Sequence, residues 1–288
     1  MTSRPAAHGV DDTALAARIS DQEFAQFQRF IYDAAGINLS SAKKSLVSGR
    51  LAKRLQHCRV ASYGDYFRLL ASGQAAQEVQ MAVDLLTTNE TYFFREPRHF
   101  DFLRAQLDAL GGETRSIRIW SAAGSTGEEA YSIAMTLEDC LPGTTWEVVA
   151  SDISTRVLER ARLAHYVMER AKNIPHEYLQ RFCLKGRGEH EGTLLVERSL
   201  RTRVRFLQVN LNATLPQLGA FDFVFLRNVL IYFNAETKRR VVQRVLTTLK
   251  PGGWLLIGHS ESLHGVVNEL QSVAPSIYRK PLAARGSP

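Results

Sequence analysis

Two adjacent carboxylates, Glu128 and Glu129, follow a glycine turn in the stretch IRIWSAAGSTGEEAYSIAMTL, Ile117 to Leu137. A glycine turn lets backbone approach a ligand closely and aims the free amides of a following helix N-terminus at it. Acids in that position suit the positive end of the helix dipole, yet they would repel a pyrophosphate. The chemistry favoured is therefore recognition of a nucleoside carrying a cationic group. Gly124 and Gly127 are three apart and Ala122-Ala123 precede them, so the loop departs from the G-x-G-x-x-G of dinucleotide sites. A further acid, Asp152, ends the apolar run WEVVASD 25 residues after Gly127, close to the interval at which nucleoside-binding folds place a carboxylate for the ribose hydroxyls. Two plainer readings stay open: the turn serves only chain geometry, or Asp152, Ser151 or Ser154 only caps the helix STRVLERARLAHY.

The elements that must position these groups follow from periodicity. Ile117 and Ile119 alternate as in a strand, and Ala130, Ile133 and Leu137 take helical spacing after the loop. Upstream, Ser20 and Glu23 form a capping box, Phe24, Phe27 and Ile31 share one helical face, and Gly36 closes the helix. A second helix spans about Ser41 to Cys58, and Tyr63 to Leu70 and Val79 to Leu86 are two more, so residues 13–86 read as a small helical domain after a loose tail, 1–12. The segment 87–98, containing TNETYFFREP, reads as a linker. Pro97 then suits the first turn of a helix with Phe100, Leu103, Leu107 and Leu110 on its apolar face, closed by Gly111-Gly112. From residue 99 to 288 strands alternate with helices: WEVVASD, RVRFLQVNL, FDFVFLRNVLIYF, WLLIGHSES after K-P-G-G, and SIYRK as a final edge strand. This is the pattern of a doubly wound sheet that binds its ligand at the carboxyl ends of the strands. Within it, about 171–203 reads as a β excursion, with KGRGEHEG as a glycine-punctuated loop and GTLLVERSL alternating as an exposed edge strand. It is either a place for a partner's peptide strand or a decorative hairpin.

The chain has 288 residues, 45% of them hydrophobic and 23% charged, which suits a globular protein of two domains. No apolar run reaches the roughly 20 residues of a membrane span and the start lacks a signal-peptide pattern, so a cytoplasmic location is expected. Cys58, Cys140 and Cys183 are widely spaced and unpaired in motif, which points to neither a disulfide framework nor a metal site. The net charge of +7 favours an acidic partner. Residues 41 to 60 hold six Lys or Arg and no acid, with Lys43, Arg50, Arg54 and His57 along one face. Such a run is either a solvated face or a docking surface, and the absence of interleaved acids favours docking. No aromatic residues are present there to stack on bases, so nucleic acid is disfavoured as the partner.

In combination, TNETYFFRE, WSAAGSTGEEAYSIA, ASDIS, NVLIYF after Arg227, and GHSE resemble the chemotaxis receptor glutamate O-methyltransferases, the CheR family, over about residues 20 to 280. The resemblance implies a class I S-adenosylmethionine (SAM) methyltransferase fold: α/β, Rossmann-like, with an N-terminal helical domain and an inserted antiparallel β subdomain. It implies methyl transfer from SAM to receptor glutamates, leaving S-adenosyl-L-homocysteine. Cofactor contacts implied are Asn89, Thr91 and Arg95 in the linker, Glu129, Asp152, the pair Asn210-Leu211, and Arg227-Asn228. Arg95 and Tyr232 are implied at the methyl-transfer site. The basic face, with Arg50, Lys53, Arg54 and His57, is implied to meet the acidic flank of the receptor helices. The β excursion resembles the subdomain that holds a receptor C-terminal pentapeptide in some relatives. A monomer recruited to receptor arrays from the cytoplasm, without metal or nucleic acid, completes the expectation. The rivals are a SAM methyltransferase acting on RNA or a small molecule, and a non-catalytic SAM-binding signalling module. Sequence leaves open which of Glu128 and Glu129 faces the cofactor, since adjacent helical positions point about 100° apart.

Overall fold

The computed structural model describes residues 18–110 and 116–282. The expected tail at 1–12, the Gly111-Gly112 helix stop and the end of the chain after residue 282 lie outside them. Four helices come first: α1 (Asp21–Ala35), α2 (Lys44–His57), α3 (Tyr63–Ala71) and α4 (Ala76–Leu86). The capping box at Ser20 and Glu23 is formed, and Gly36 ends α1 in the left-handed conformation. These helices close on their own core of Phe24, Phe27, Ile31, Leu51, Tyr66 and Leu86. They bury apolar stripes at helical spacing, which is what makes so short a unit fold.

After the linker, α5 (Arg98–Asp108) leads into β1 (Ile117–Ser121), α6 (Glu128–Cys140), β2 (Trp146–Asp152) and α7 (Thr155–Leu163). Next come β3 (His165–Val167), α8 (His176–Phe182), β4 (Cys183–Lys185), β5 (Thr193–Val196) and the single turn α9 (Arg198–Arg201). The chain then forms β6 (Val204–Gln208), β7 (Phe221–Leu226), α10 (Ala235–Thr248), β8 (Leu249–Ile257), β9 (Gln271–Ala274) and β10 (Ile277–Arg279). Seven strands make one sheet in the order β6-β2-β1-β7-β8-β10-β9. The first five run parallel and the last pairings are antiparallel. The strand order reverses beside β1, which opens a crevice at its carboxyl end.

Three details differ from the sequence expectation. The strand SIYRK is β10, lodged between β8 and β9, so the sheet edge is β9. The helix after Asp152 stops at Leu163 because Ala164 turns left-handed, and His165–Val167 opens the β subdomain about six residues before the expected start near residue 171. Finally, β5 is the middle strand of the order β3-β5-β4, not an exposed edge. Its alternating burial reflects one covered face, and one covered face says nothing about edge position.

Candidate active site

A cleft opens at the carboxyl ends of the parallel strands, beneath the linker and the end of α1. Asn89, Thr91 and Arg95 line it from the linker, and Glu129 and Asp152 from the sheet domain. Asn210 and Leu211 after β6, then Arg227, Asn228 and Tyr232 after β7, complete the residues expected from sequence. All ten are thus brought to one surface. Ala35 and Ile37 close it from the helical domain. Backbone joins the two domains there: Ile37 forms a β-bridge with Phe233, and Asn38 N donates to the Tyr232 carbonyl at 2.8 Å.

The two acids after the glycine turn have separate tasks. Glu129 reaches the cleft, where it accepts from Ser121 Oγ at 2.6 Å and from Arg227 Nη1 at 3.0 Å. Burial holds its carboxyl above the ordinary range against the pull of Arg227. Glu128 is fully buried on the opposite side and pairs with Arg170 of the β subdomain. That subdomain also sends the Tyr166 hydroxyl to the Thr126 carbonyl at 2.7 Å. Gly127 sits at φ 95°, and a Cβ there would stand 2.9 Å from that hydroxyl. The loop is therefore braced from below, and glycine is required for both its backbone angle and its lack of side chain. Four non-glycine residues around the cleft, Phe94, Glu96, Ser125 and Asn228, also hold positive φ. Such backbone costs of order 1–3 kcal/mol per residue and persists where surrounding contacts fix it.

Those contacts are visible. Arg227 has a fully buried guanidinium shared between Glu129, Glu96 at 3.1 Å and the carbonyl of Arg95. Buried Glu261 accepts the backbone N–H groups of Asn228 at 2.9 Å, Gly258 at 2.6 Å and Ile231 at 3.2 Å. Burial raises its carboxyl while those amides oppose the shift. Neither Glu96 nor Glu261 was assigned a task from sequence, although both stand in the quoted motifs TNETYFFRE and GHSE.

Asp152 is buried, and its two oxygens accept Ser125 N from the glycine loop and Ser154 N, each at 3.0 Å. A carboxylate has about four lone-pair positions, so capacity for a diol is left. The capping alternative considered for Asp152 is met only in part, because α7 takes its main cap from the other domain. Asp84 of α4 accepts Thr155 N at 3.1 Å, Thr155 Oγ1 at 2.8 Å and Arg156 N at 3.3 Å. Gln80 of α4 reaches the Ile153 carbonyl at 3.1 Å. A cap 71 residues distant leaves no local spacing, and sequence reading missed it.

Around the mouth, Arg95 donates to the Glu90 carbonyl at 2.9 Å and lies 5.7 Å from the Tyr92 ring centre. Burial pushes the Tyr232 phenol up, against the opposing influence of Thr88 and Arg95, so it stays protonated. The Asn210 side chain bridges domains, donating to the Ala34 carbonyl at 2.7 Å and accepting Asn212 N at 2.9 Å. On α2 the expected basic face divides. Arg54 is paired with Glu78 of α4, Nε to Oε1 at 2.8 Å, and the pair holds the guanidinium above its ordinary range. Arg50 donates to the carbonyls of Leu86 and Thr87, at 3.2 and 2.9 Å, and thereby holds the start of the linker. Lys44 reaches Asp21 at 2.7 Å. Acids absent from the α2 sequence are thus supplied by α1 and α4. Lys53 and His57 are exposed.

An open, mostly parallel sheet, a crevice at its switch point, a carboxylate at the end of β2 and an acid behind the glycine loop are the features of the class of SAM-dependent methyltransferases. The profile described as CheR methyltransferase, SAM binding domain, matches residues 89–278, and that described as CheR methyltransferase, all-alpha domain, matches residues 22–87. The chain belongs to the CheR methyltransferase family. The chemotaxis protein methyltransferase of Escherichia coli (strain K12) is 45% identical over 250 residues, 85% of each chain. That of Salmonella typhimurium is 41% identical over 266 residues, 90% of each chain. Chemotaxis protein methyltransferase 2 of Pseudomonas aeruginosa is 40% identical over 264 residues, 89% of this chain and 92% of the relative. The cofactor is SAM. Glu129 and Asp152 offer unfilled acceptor capacity where a cation and a diol require it, so the donor set fits that molecule.

Proposed function

We propose that this chain transfers the methyl group of SAM to glutamate side-chain carboxylates of chemotaxis receptors, forming methyl esters. The observation that carries this reading is that a half-buried arginine, Arg95, and a protonated phenol, Tyr232, line the same cleft as Glu129 and Asp152. SAM supplies an electrophilic methyl group on a sulfonium centre. Glutamate has a pKa of about 4.3 and is already ionised at neutral pH, so no strong general base is needed. The residues must place the carboxylate in line and strip water from it. Arg95 orients a carboxylate, either the substrate's or the cofactor's own, and Tyr232 donates to the attacking oxygen. Glu129, held by Ser121 and Arg227, meets the methionyl ammonium. Asp152 accepts from the ribose hydroxyls, while Asn89, Thr91, Asn210, Leu211 and Asn228 shape the remaining walls.

For the receptor, the exposed part of the basic face, Lys53 and His57, is the docking surface, with Arg50 and Arg54 acting behind it to hold the linker and α4. The β subdomain offers the free edges of β3 and β4 to a receptor C-terminal peptide. Incubation with methyl-labelled SAM and receptor-bearing membranes is expected to label protein glutamates in a form released by base as methanol. Label on RNA, or tight SAM binding with no transfer, would overturn the reading.

A further inference from the structure

Next to Arg227, and outside the residues that line the cleft, lies a second group of chemistry-bearing side chains. Glu96, His99 and His259 bring a carboxylate oxygen and two ring nitrogens within 4.8 Å of one another. His99 Nδ1 stands 3.4 Å and His259 Nε2 3.8 Å from the same oxygen, Glu96 Oε2. Ligands about 2.0–2.1 Å from a tetrahedral Zn²⁺ stand about 3.4 Å apart. The two nitrogen–oxygen separations are therefore close to those of a bound site, and the two ring nitrogens lie within 4.8 Å of each other.

Hydrogen bonding sharpens the point. Ser276 Oγ directs its one proton to the Pro275 carbonyl at 2.6 Å, so it accepts from His99 Nε2 at 2.8 Å. A neutral imidazole has a single N–H, which leaves a lone pair on Nδ1. His99 is 1% exposed, and neither its Nδ1 nor Glu96 Oε2 has a hydrogen-bond partner. Two buried acceptors facing each other are costly, and a cation between them satisfies both. The other oxygen, Glu96 Oε1, accepts from Asn228 Nδ2 at 3.1 Å. Arg227 Nη2 is 3.1 Å from Oε2 but donates to the Arg95 carbonyl. Arg227 opposes a second cation, yet Glu129 shares its guanidinium and Glu261 lies beyond Asn228, so carboxylates outnumber fixed cations here. The His259 side chain is 47% exposed, which supplies an entry path.

We propose that Glu96, His99 and His259 form a site for one divalent transition-metal ion of the Zn²⁺ class, with a fourth position open to solvent beside His259. An ion there shares Glu96 with Arg227 and loosens the guanidinium that holds Glu129. Metal and SAM therefore bind with negative coupling, and each weakens the other by the same factor. The test is a titration of the full chain with Co²⁺, read by the visible absorption of tetrahedral cobalt, followed by displacement with Zn²⁺. Binding of one equivalent is expected, weakened at least about tenfold in His259→Ala and unchanged in His264→Ala, an exposed neighbour outside the cluster. Saturating Zn²⁺ should raise the Kd for SAM in the parent chain and not in His259→Ala. A titration without saturable absorption, or one unaltered by His259→Ala, would overturn the site. A Kd for SAM indifferent to Zn²⁺ would overturn the coupling.

Discussion

Arg227 is the side chain on which the charge balance of the cleft depends. Its buried guanidinium compensates Glu129 and Glu96 together and fixes the Arg95 carbonyl. Removing one partner of a buried ion pair strands the other and costs about 3–5 kcal/mol. Arg227→Met is therefore expected to lower the melting temperature by roughly 10 °C, at 2–4 °C per kcal/mol for a chain of this size, and to abolish SAM binding. Calorimetry and a binding titration check both, and a variant that melts normally would show that the carboxylates adapt without it. At this scale the sequence was informative about which positions face the cleft. It was less informative about what holds them: Glu96 and Glu261 were inside recognised motifs, but their partners, 132 and 33 residues away, follow only from the fold. The choice between Glu128 and Glu129 likewise needed the position of Arg170, because both residues satisfy the same helix-start pattern.

Among elements, α7 shows how the helical domain contributes to the cofactor cleft. Asp84 caps α7 at Thr155 across the domain boundary, one residue after Ser154, whose N–H anchors Asp152. Asp84→Ala should cost about 1–2 kcal/mol as a lost cap and should raise the Kd for SAM severalfold, measured by denaturant unfolding and by calorimetric titration. An unchanged Kd would confine the cap to stability. At the far end of α6, burial alone would raise the Asp139 carboxyl, but the Tyr178 hydroxyl with Arg104 and Arg181 holds it at about 2. Since the ordinary value is 3.8, this stabilisation is complete above pH 4 and is lost as the pH falls from about 4 through 2. The loss amounts to roughly 2 kcal/mol. Acid unfolding of Asp139→Asn should lack that component, and an identical acid profile would contradict the assignment. Helix and strand positions were largely legible from periodicity. The central place of β5 was not, since one covered face gives the same alternation in a middle strand and at an edge.

For the whole molecule, the division of the basic face has a consequence that separates docking from folding. Reversing an exposed charge, Lys53→Glu or His57→Glu, should raise KM for receptor and flatten its salt dependence while leaving SAM binding alone. Arg54→Glu should instead destabilise the helical domain, because it sets a second carboxylate against Glu78. Receptor kinetics unaffected by the first pair would return that face to simple solvation. In the proposed function, linker and sheet domain together make one cleft that both holds SAM and orients the carboxylate. The most direct test is Arg95→Ala, with turnover on receptor and SAM affinity measured in the same preparation. A fall in kcat of about a hundredfold, the scale of losing one preorganised transition-state contact, is expected with a much smaller loss of SAM affinity. Equal losses of turnover and affinity would make Arg95 a cofactor ligand alone and contradict its role in orienting the carboxylate.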